Sequence, residues 1–248
     1  MSVRECCLRG FQWDGVPTGR TDHLAGLDVY VSGTNEHAAI LFIADLFGWK
    51  FPNIRLLADH YAKEVNATVY VPDFFGGERL PDQIFAEERW TDPALGAFMQ
   101  RNSREIREPE VLACARELRA KHPKLAAVGY CYGGWAVFRL GAKEHQPPLV
   151  DCISTGHPSM LTKADIDQVG VPVQILAPEI DFLFTPELKL HAFQTLHTSS
   201  LPFDYQHFPG VEHASLVRGN DAKDGERKAM ARAKNAAVAW IRQFLHEE

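Results

Sequence analysis

The sequence predicts an α/β protein with a mostly parallel, doubly wound sheet and helices on both faces. Three observations point there. Short apolar runs alternate with segments whose apolar residues recur at helical spacing, which is the signature of strand–helix–strand units. Residues 38–44 (AAILFIA) are apolar throughout, as a strand covered on both faces must be. The chain has 248 residues, 46% hydrophobic and 23% charged, so about 73% of the unfolded surface can be buried without staples.

In chain order, residues 27–31 (LDVYV) alternate like an edge strand, and 38–44 follow as a buried one. Asn53 is placed to cap a helix whose apolar positions are Ile54, Leu57, Ala58, Tyr61 and Val65, and 67–71 form a strand closed by Pro72. The alternation continues with a helix over 109–121, a strand over 125–128, a helix from Gly133, strands over 149–154 and 171–177, a helix over 186–196 and a strand over 203–208. Met230, Ala233, Ala237, Trp240, Ile241 and Phe244 mark the inward stripe of a long closing helix. Nothing breaks the composition, so residues 1–248 are expected to form a single domain. One connection is out of proportion: the excursion at about 75–108 is either a lid over a site or a surface loop with a helix of its own.

The stretch LAAVGYCYGGWAVF sets an apolar strand before Gly129, Tyr130, Cys131, Tyr132 and Gly133, and a helical pattern after them. This is Gly-x-Cys-x-Gly, the thiol form of the nucleophile elbow. The glycines flank a sharp turn where side chains would collide with backbone, and the turn lifts the sulfur clear of the sheet. There the amino end of the following helix favours thiolate, and the Tyr132 N–H is available to a developing oxyanion. A nucleophile so placed needs a base and an orienting acid, in the chain order nucleophile, acid, base. Asp181 follows the strand VQILAPEI at a carboxyl end, where the acid belongs. Glu179, two residues earlier, is its rival. Among eleven histidines, His213 is the best base, because it lies in a Gly-bearing loop after the last strand and before the last helix. His207 falls inside a strand pattern and fits poorly.

With these residues in hand, the chain resembles the dienelactone hydrolase family of the α/β-hydrolase fold. The resemblance covers nearly the whole chain. It is carried by Ala44, Asp45, Leu46, Phe47 and Gly48, by Val71, Pro72, Asp73 and Phe74, by the turn around Cys131, by Asp181, and by Gly210 to His213 with Arg218. It implies a Cys131–Asp181–His213 triad that cleaves a small ester or lactone through a thioester acyl-enzyme, with no cofactor and no metal. The oxyanion hole would be the backbone N–H groups of Leu46 and Tyr132. Asp45 stands where bacterial members carry a glutamate that engages the resting thiol; being one methylene shorter, it either keeps that role or only braces its loop. Arg218 looks like the family arginine that meets a substrate carboxylate, with a solvated loop arginine as the alternative. For a second such arginine, Arg79, Arg89, Arg101 and Arg104 all qualify. The run Gly156, His157, Pro158, Ser159 either lines the pocket or is a simple Pro turn.

Other function classes fit less well. Twenty-six Lys and Arg against thirty-two Asp and Glu give a net charge of −6, so no basic field attracts nucleic acid or anionic lipid. The first residues, MSVRECCLRG, lack the apolar core of a signal peptide, and no run is long enough to span a membrane. Five cysteines, an odd set with Cys6 and Cys7 adjacent, suit a reducing cytoplasmic compartment. Neither HExxH, nor a zinc spacing, nor GxGxxG occurs. Two rivals remain, a non-catalytic binding protein that kept the elbow for packing and a thiol redox sensor, although Cys114 and Cys152 make poor resolving partners. The expected partner is a small-molecule ester or lactone, bound by a monomer or homodimer.

Overall fold

The structure, a computed structural model, describes residues 13–80 and 92–247. Its eight strands are β1 (Arg20–Leu24), β2 (Leu27–Ser32), β3 (Ala38–Ile43), β4 (Thr68–Pro72), β5 (Lys124–Tyr130), β6 (Cys152–Gly156), β7 (Val173–Ile180) and β8 (Phe203–Glu212). They form one sheet in the order β1-β2-β4-β3-β5-β6-β7-β8. Pairing is parallel from β4 across to β8, and β2 runs antiparallel to both β1 and β4. Between these strands run α1 (Pro52–Tyr61), α2 (Pro93–Arg101), α3 (Arg104–Lys121), α4 (Gly133–Leu140), α5 (Lys163–Asp167), α6 (Pro186–His197), α7 (Ser215–Arg218) and α8 (Glu226–His246).

The apolar run at β3 is explained by cover on both faces. Ala39, Leu41 and Ile43 join the core beneath α3 and α4, whereas Ala38, Ile40 and Phe42 join the core beneath α1 and α8. Successive side chains of a strand alternate in direction, so only a strand between two helical layers must be apolar at every position. The closing helix matches its stripe, with Ala233, Ala237, Trp240 and Ile241 buried.

Several elements depart from the sequence expectation. Residues 27–31 are not an edge, because β1 lies outside them. Four of the five residues of β1 are exposed, so it carries no apolar alternation to read, and it reaches β2 through the tight turn at Ala25 and Gly26, both at positive φ as a two-residue hairpin loop favours. Asn53 does not cap α1; Phe51 holds that position with Pro at the first turn. Asn53 is instead fully buried, accepting from the Trp13 N–H at 2.9 Å and donating to the carbonyl of Val217 at 3.2 Å. The helix expected from residue 109 begins at Arg104, after Ser103, and takes Pro109 into its interior. β8 continues past Phe208 to Glu212.

Within the long excursion, residues 81–91 lie outside the described residues. The part that follows contains α2, whose N-cap Asp92 accepts from the Ala94 N–H. Its buried Phe98 meets Phe75 edge-on, with ring centroids 5.0 Å apart, and Phe75 in turn meets Tyr132 at 5.0 Å. This half of the excursion therefore packs on the elbow itself. No helix among the described residues is long and apolar enough to cross a membrane.

The tight packing of α4 yields a direct test. A Cβ on Gly133 would lie 2.3 Å from the Ile43 carbonyl oxygen, while one on Gly96, inside α2, would meet nothing within 4 Å. Gly133→Ala is expected to lower stability by roughly 2–3 kcal/mol or more, and Gly96→Ala to raise it by about 0.5–1 kcal/mol. Urea midpoints of the two variants check the pair.

Candidate active site

Cys131 occupies the bend between β5 and α4 at φ 49°, a conformation that a side chain holds only when its surroundings enforce it. They do so through the backbone. The Cys131 N–H donates to the Gly156 carbonyl at 3.1 Å, and the Cys131 carbonyl accepts from Gly134 at 2.9 Å and from Ser159 at 2.8 Å. Absent side chains make the approach possible, since a Cβ on Gly129 would sit 2.2 Å from the Gly133 carbonyl oxygen. The side chain is 3% exposed.

His213 follows β8, and its Nδ1 lies 2.9 Å from Asp181 Oδ1, with both side chains fully buried. The same carboxylate oxygen accepts the N–H groups of Leu183 and Phe184, each at 2.9 Å. Burial pushes Asp181 toward its neutral form, but His213 and these donors outweigh it and hold the carboxyl below its usual range. On the histidine, burial opposes the imidazolium; Asp181 and then Cys131 overcome it and raise the ring well above its ordinary value. An ionised carboxylate only accepts, so Nδ1 carries the hydrogen of this bond and Nε2 is left for the sulfur. Nε2 is buried with no completed hydrogen bond among the described residues, yet the sulfur is near enough that its thiolate helps hold a proton on the ring. Cys131, Asp181 and His213 thus come together from three loops at the carboxyl edge of the sheet, as expected of an open α/β sheet.

The competitors fall away on geometry. Glu179 is exposed at the end of β7, and its Oε2 accepts the Gly210 N–H at 2.7 Å. His207 is an exposed residue of β8. Leu46 and Tyr132 face no such competition for their N–H groups, neither of which donates to any acceptor among the described residues. The Tyr132 hydroxyl is anchored, donating to the Asn102 carbonyl at 2.8 Å.

Arg218 is the clear correction. It is 3% exposed, its Nε lies 2.9 Å from Glu226 Oε1, its NH2 also reaches that oxygen, and Glu212 stands at 3.6 Å. Glu226 Oε2 accepts the Asn220 N–H at 2.6 Å. The guanidinium is therefore neither solvated nor offered to a substrate carboxylate, but ties α7 to the start of α8. Of the arginines considered for a second anchor, Arg104 is held by Asp165 at 2.7 and 2.8 Å, Arg101 pairs with Glu78 at 2.7 Å, and Arg89 lies outside the described residues. So do Cys6 and Cys7. Cys114 and Cys152 are fully buried, where burial pushes the Cys114 thiol up to about 12 and raises that of Cys152 further, conditions that suppress resolving-thiol chemistry.

Two residues near Cys131 and His213 are read in the sequence only as part of a polar turn. His157 is fully buried at φ 38°, its ring 4.8 Å from that of His213. Neither ring nitrogen has a hydrogen-bond partner among the described residues, and burial, with the charge of His213, holds the ring neutral, its pKa well below the ordinary value. Ser159 Oγ lies 3.7 Å from Cys131 Sγ. The signal that points to both is their place after β6, at the same sheet edge as the triad.

Asp45 is 4% exposed. Its Oδ1 accepts the Phe47 N–H at 3.0 Å and its carbonyl accepts from Gly48 at 3.0 Å, both within its own loop; no hydrogen bond joins it to Cys131 among the described residues. Burial pushes its carboxyl up from 3.8 to about 7, against the Phe47 N–H and the charge of His213. A carboxyl that stays protonated longer in the folded than in the unfolded chain supports the fold at low pH, and that support drains away as pH rises from about 4 to about 7. Asp45→Asn keeps an acceptor for Phe47 and carries no charge. It is expected to match the parent near pH 4 and to exceed it near pH 8 by roughly 2–4 kcal/mol, as denaturant titrations at the two pH values will read.

Comparison with known proteins accords with this geometry. The profile of the Dienelactone hydrolase family matches residues 27–245. The chain is 30% identical over 254 residues to Hydrolase tropI of Talaromyces stipitatus, covering 99% of this chain and 98% of that protein. With the Carboxymethylenebutenolidase homolog of Homo sapiens it shares 25% identity over 248 residues, covering 92% and 91% of the two chains. Among solved structures, a dienelactone hydrolase-like promiscuous phosphotriesterase from metagenomic libraries superposes with a TM-score of 0.66 at 16% identity, over 92% of this chain and 98% of that one. The strand order, the elbow after β5 and the match over residues 27–245 together make this chain a hydrolase of the dienelactone hydrolase family, built on the α/β-hydrolase fold.

Proposed function

We propose that this hydrolase cleaves small esters or lactones through a thioester formed on Cys131. The observation that carries the reading is the buried Asp181–His213 pair, 2.9 Å apart, beside a cysteine held at positive φ on the elbow. His213 Nε2 takes the thiol proton as the sulfur attacks the substrate carbonyl, and Asp181 steadies the imidazolium that results. The negative charge on the carbonyl oxygen is received by the N–H groups of Leu46 and Tyr132, which have no other acceptor among the described residues and so need no rearrangement to serve. Collapse of the tetrahedral adduct breaks the C–O bond, and the imidazolium protonates the leaving alkoxide. In a lactone that alcohol stays tethered to the acyl group. His213 then takes a proton from water, the resulting hydroxide attacks the thioester, and collapse expels the sulfur, which recovers its proton from the imidazolium as the carboxylic acid departs.

Substrate choice no longer rests on a cationic anchor at Arg218. The names of the human and fungal relatives place carboxymethylenebutenolidase homologues and other hydrolases beside this chain, which supports the ester and lactone class. Removing the guanidinium would leave Glu226, itself 2% exposed, as an uncompensated buried charge. Arg218→Ala is therefore expected to cost about 3–5 kcal/mol of stability and to reduce turnover of anionic and neutral esters alike. Kinetics on a matched pair of such esters, beside a thermal melt, checks this; a loss confined to anionic substrates would return Arg218 to the pocket.

The mechanism itself is tested by alkylation. Iodoacetamide should abolish ester hydrolysis with the label on Cys131, and hydrolysis that survives complete labelling there would overturn the reading. Asp181→Asn should lower kcat by orders of magnitude, because the wrong tautomer and an unsupported imidazolium follow, whereas Glu179→Gln should leave it nearly unchanged.

A further inference from the structure

The turn from Gly156 to Met160 is built more tightly against the nucleophile than a connection between β6 and α5 requires. Both His157 and Met160 hold positive φ, at 38° and 56°. The Ser159 N–H binds the Cys131 carbonyl at 2.8 Å and the Gly156 carbonyl binds the Cys131 N–H at 3.1 Å, so the turn grips the elbow residue by both of its backbone groups. Pro158 fills the space that Gly134 leaves open, where a Cβ would come within 2.3 Å of the proline ring. The outcome of this strain is to bring the Ser159 hydroxyl to 3.7 Å from Cys131 Sγ, with Ser159 only 6% exposed.

We infer that Ser159 is a positioning residue for the nucleophile, whose hydroxyl accepts the thiol hydrogen in the resting enzyme and donates to the thiolate once His213 has taken the proton. The inference rests on the proposed role of Cys131 and deepens it. A hydroxyl has one hydrogen and two lone pairs, so rotation about its C–O bond converts it from acceptor to donor with no movement of a heavy atom. The second arrangement is the stronger, because a hydrogen bond to a charged partner exceeds one from a weak S–H donor. Ser159 thereby favours ionisation and fixes the sulfur while the proton is on His213. The other titratable groups that close on the site are His213, backed by Asp181 from the loop after β7, Asp45 from the loop after β3, and His157 from the same turn as Ser159. Asp45 spends its hydrogen bonds on its own loop, and His157 makes none. That leaves the Ser159 hydroxyl as the side chain that meets the Cys131 sulfur in a hydrogen bond among the described residues.

The test reads the thiol without any substrate. Iodoacetamide labelling of Cys131 is followed by intact-protein mass spectrometry from about pH 5 to about pH 10 for the parent, Ser159→Ala and Ser159→Thr, each checked for folding by thermal melt. In Ser159→Ala the labelling profile should move upward by about one pH unit, so that labelling on its low-pH limb slows about tenfold. Ser159→Thr, which restores the hydroxyl, should return the profile toward the parent. A Ser159→Ala profile that superimposes on the parent overturns the inference, as does a shift that Ser159→Thr leaves uncorrected, because packing alone would then account for it. Failure here is distinct from failure of the hydrolytic reading, which would appear as ester hydrolysis by protein already fully labelled at Cys131.

Discussion

Close approach of backbone to backbone at the start of α4 is the constraint on which the rest of the site depends. Gly133 lies against the carbonyl of Ile43, at the end of β3, and Gly129 against the carbonyl of Gly133. Any Cβ at these positions would push the elbow away from β3 and so separate Tyr132 from Leu46, two residues whose N–H groups meet no acceptor among the described residues. The same approach forces Cys131 to positive φ, and the turn after β6 holds it there through two backbone hydrogen bonds. Strain at Cys131 is thus balanced by hydrogen bonds between the ends of β5 and β6, which is how such conformations persist in folded proteins.

Burial acts on three ionisable groups of this region with different results, which follow the number of their hydrogen-bond partners. Asp181 receives His213 and two backbone donors and stays ionised. Asp45, with one backbone donor, is pushed up to about 7. His157 has none and is held neutral. Arg218 meets Glu226 in a buried pair whose second oxygen is also occupied by a backbone N–H. An ion taken from water must be repaid in hydrogen bonds and opposite charge, and Asp181, which has the most of both, keeps its charge. At Asp181 that repayment falls entirely on Oδ1, with Oδ2 unpartnered among the described residues, and at His213 it is open at Nε2.

The excursion after β4 takes part in this arrangement from the other side. Phe75 and Phe98 stack edge-on toward the Tyr132 ring, and the Tyr132 hydroxyl donates to the carbonyl of Asn102 between α2 and α3. Asp73 accepts the N–H groups of Phe75 and Gly77 at 3.0 and 2.7 Å, which turns the chain from β4 onto this face. The segment over residues 92–108 therefore braces the side chain of Tyr132, whose backbone N–H is the proposed oxyanion donor, and couples the packing of α2 to the geometry of the elbow.

Much of this was legible in the amino-acid sequence, because some constraints are local. A strand covered on both faces must be apolar at every position, and residues 38–44 are; a sharp strand-to-helix turn needs glycine where backbones touch, and Gly129 and Gly133 flank Cys131. Chain order at a sheet edge then singled out Asp181 and His213 over Glu179 and His207. β1 escaped because an exposed edge strand has no apolar face to reveal it, and Pro109 misled because proline more often opens a helix than sits inside one. The surroundings of Asn53, Arg218, His157 and Ser159 were decided by tertiary structure alone. Sequence reports what a polar side chain can do, but whether Arg218 meets a substrate or Glu226, and whether the Ser159 hydroxyl faces solvent or the Cys131 sulfur, depends on which distant backbone the fold brings within 3 or 4 Å of it, and periodicity carries no record of that distance.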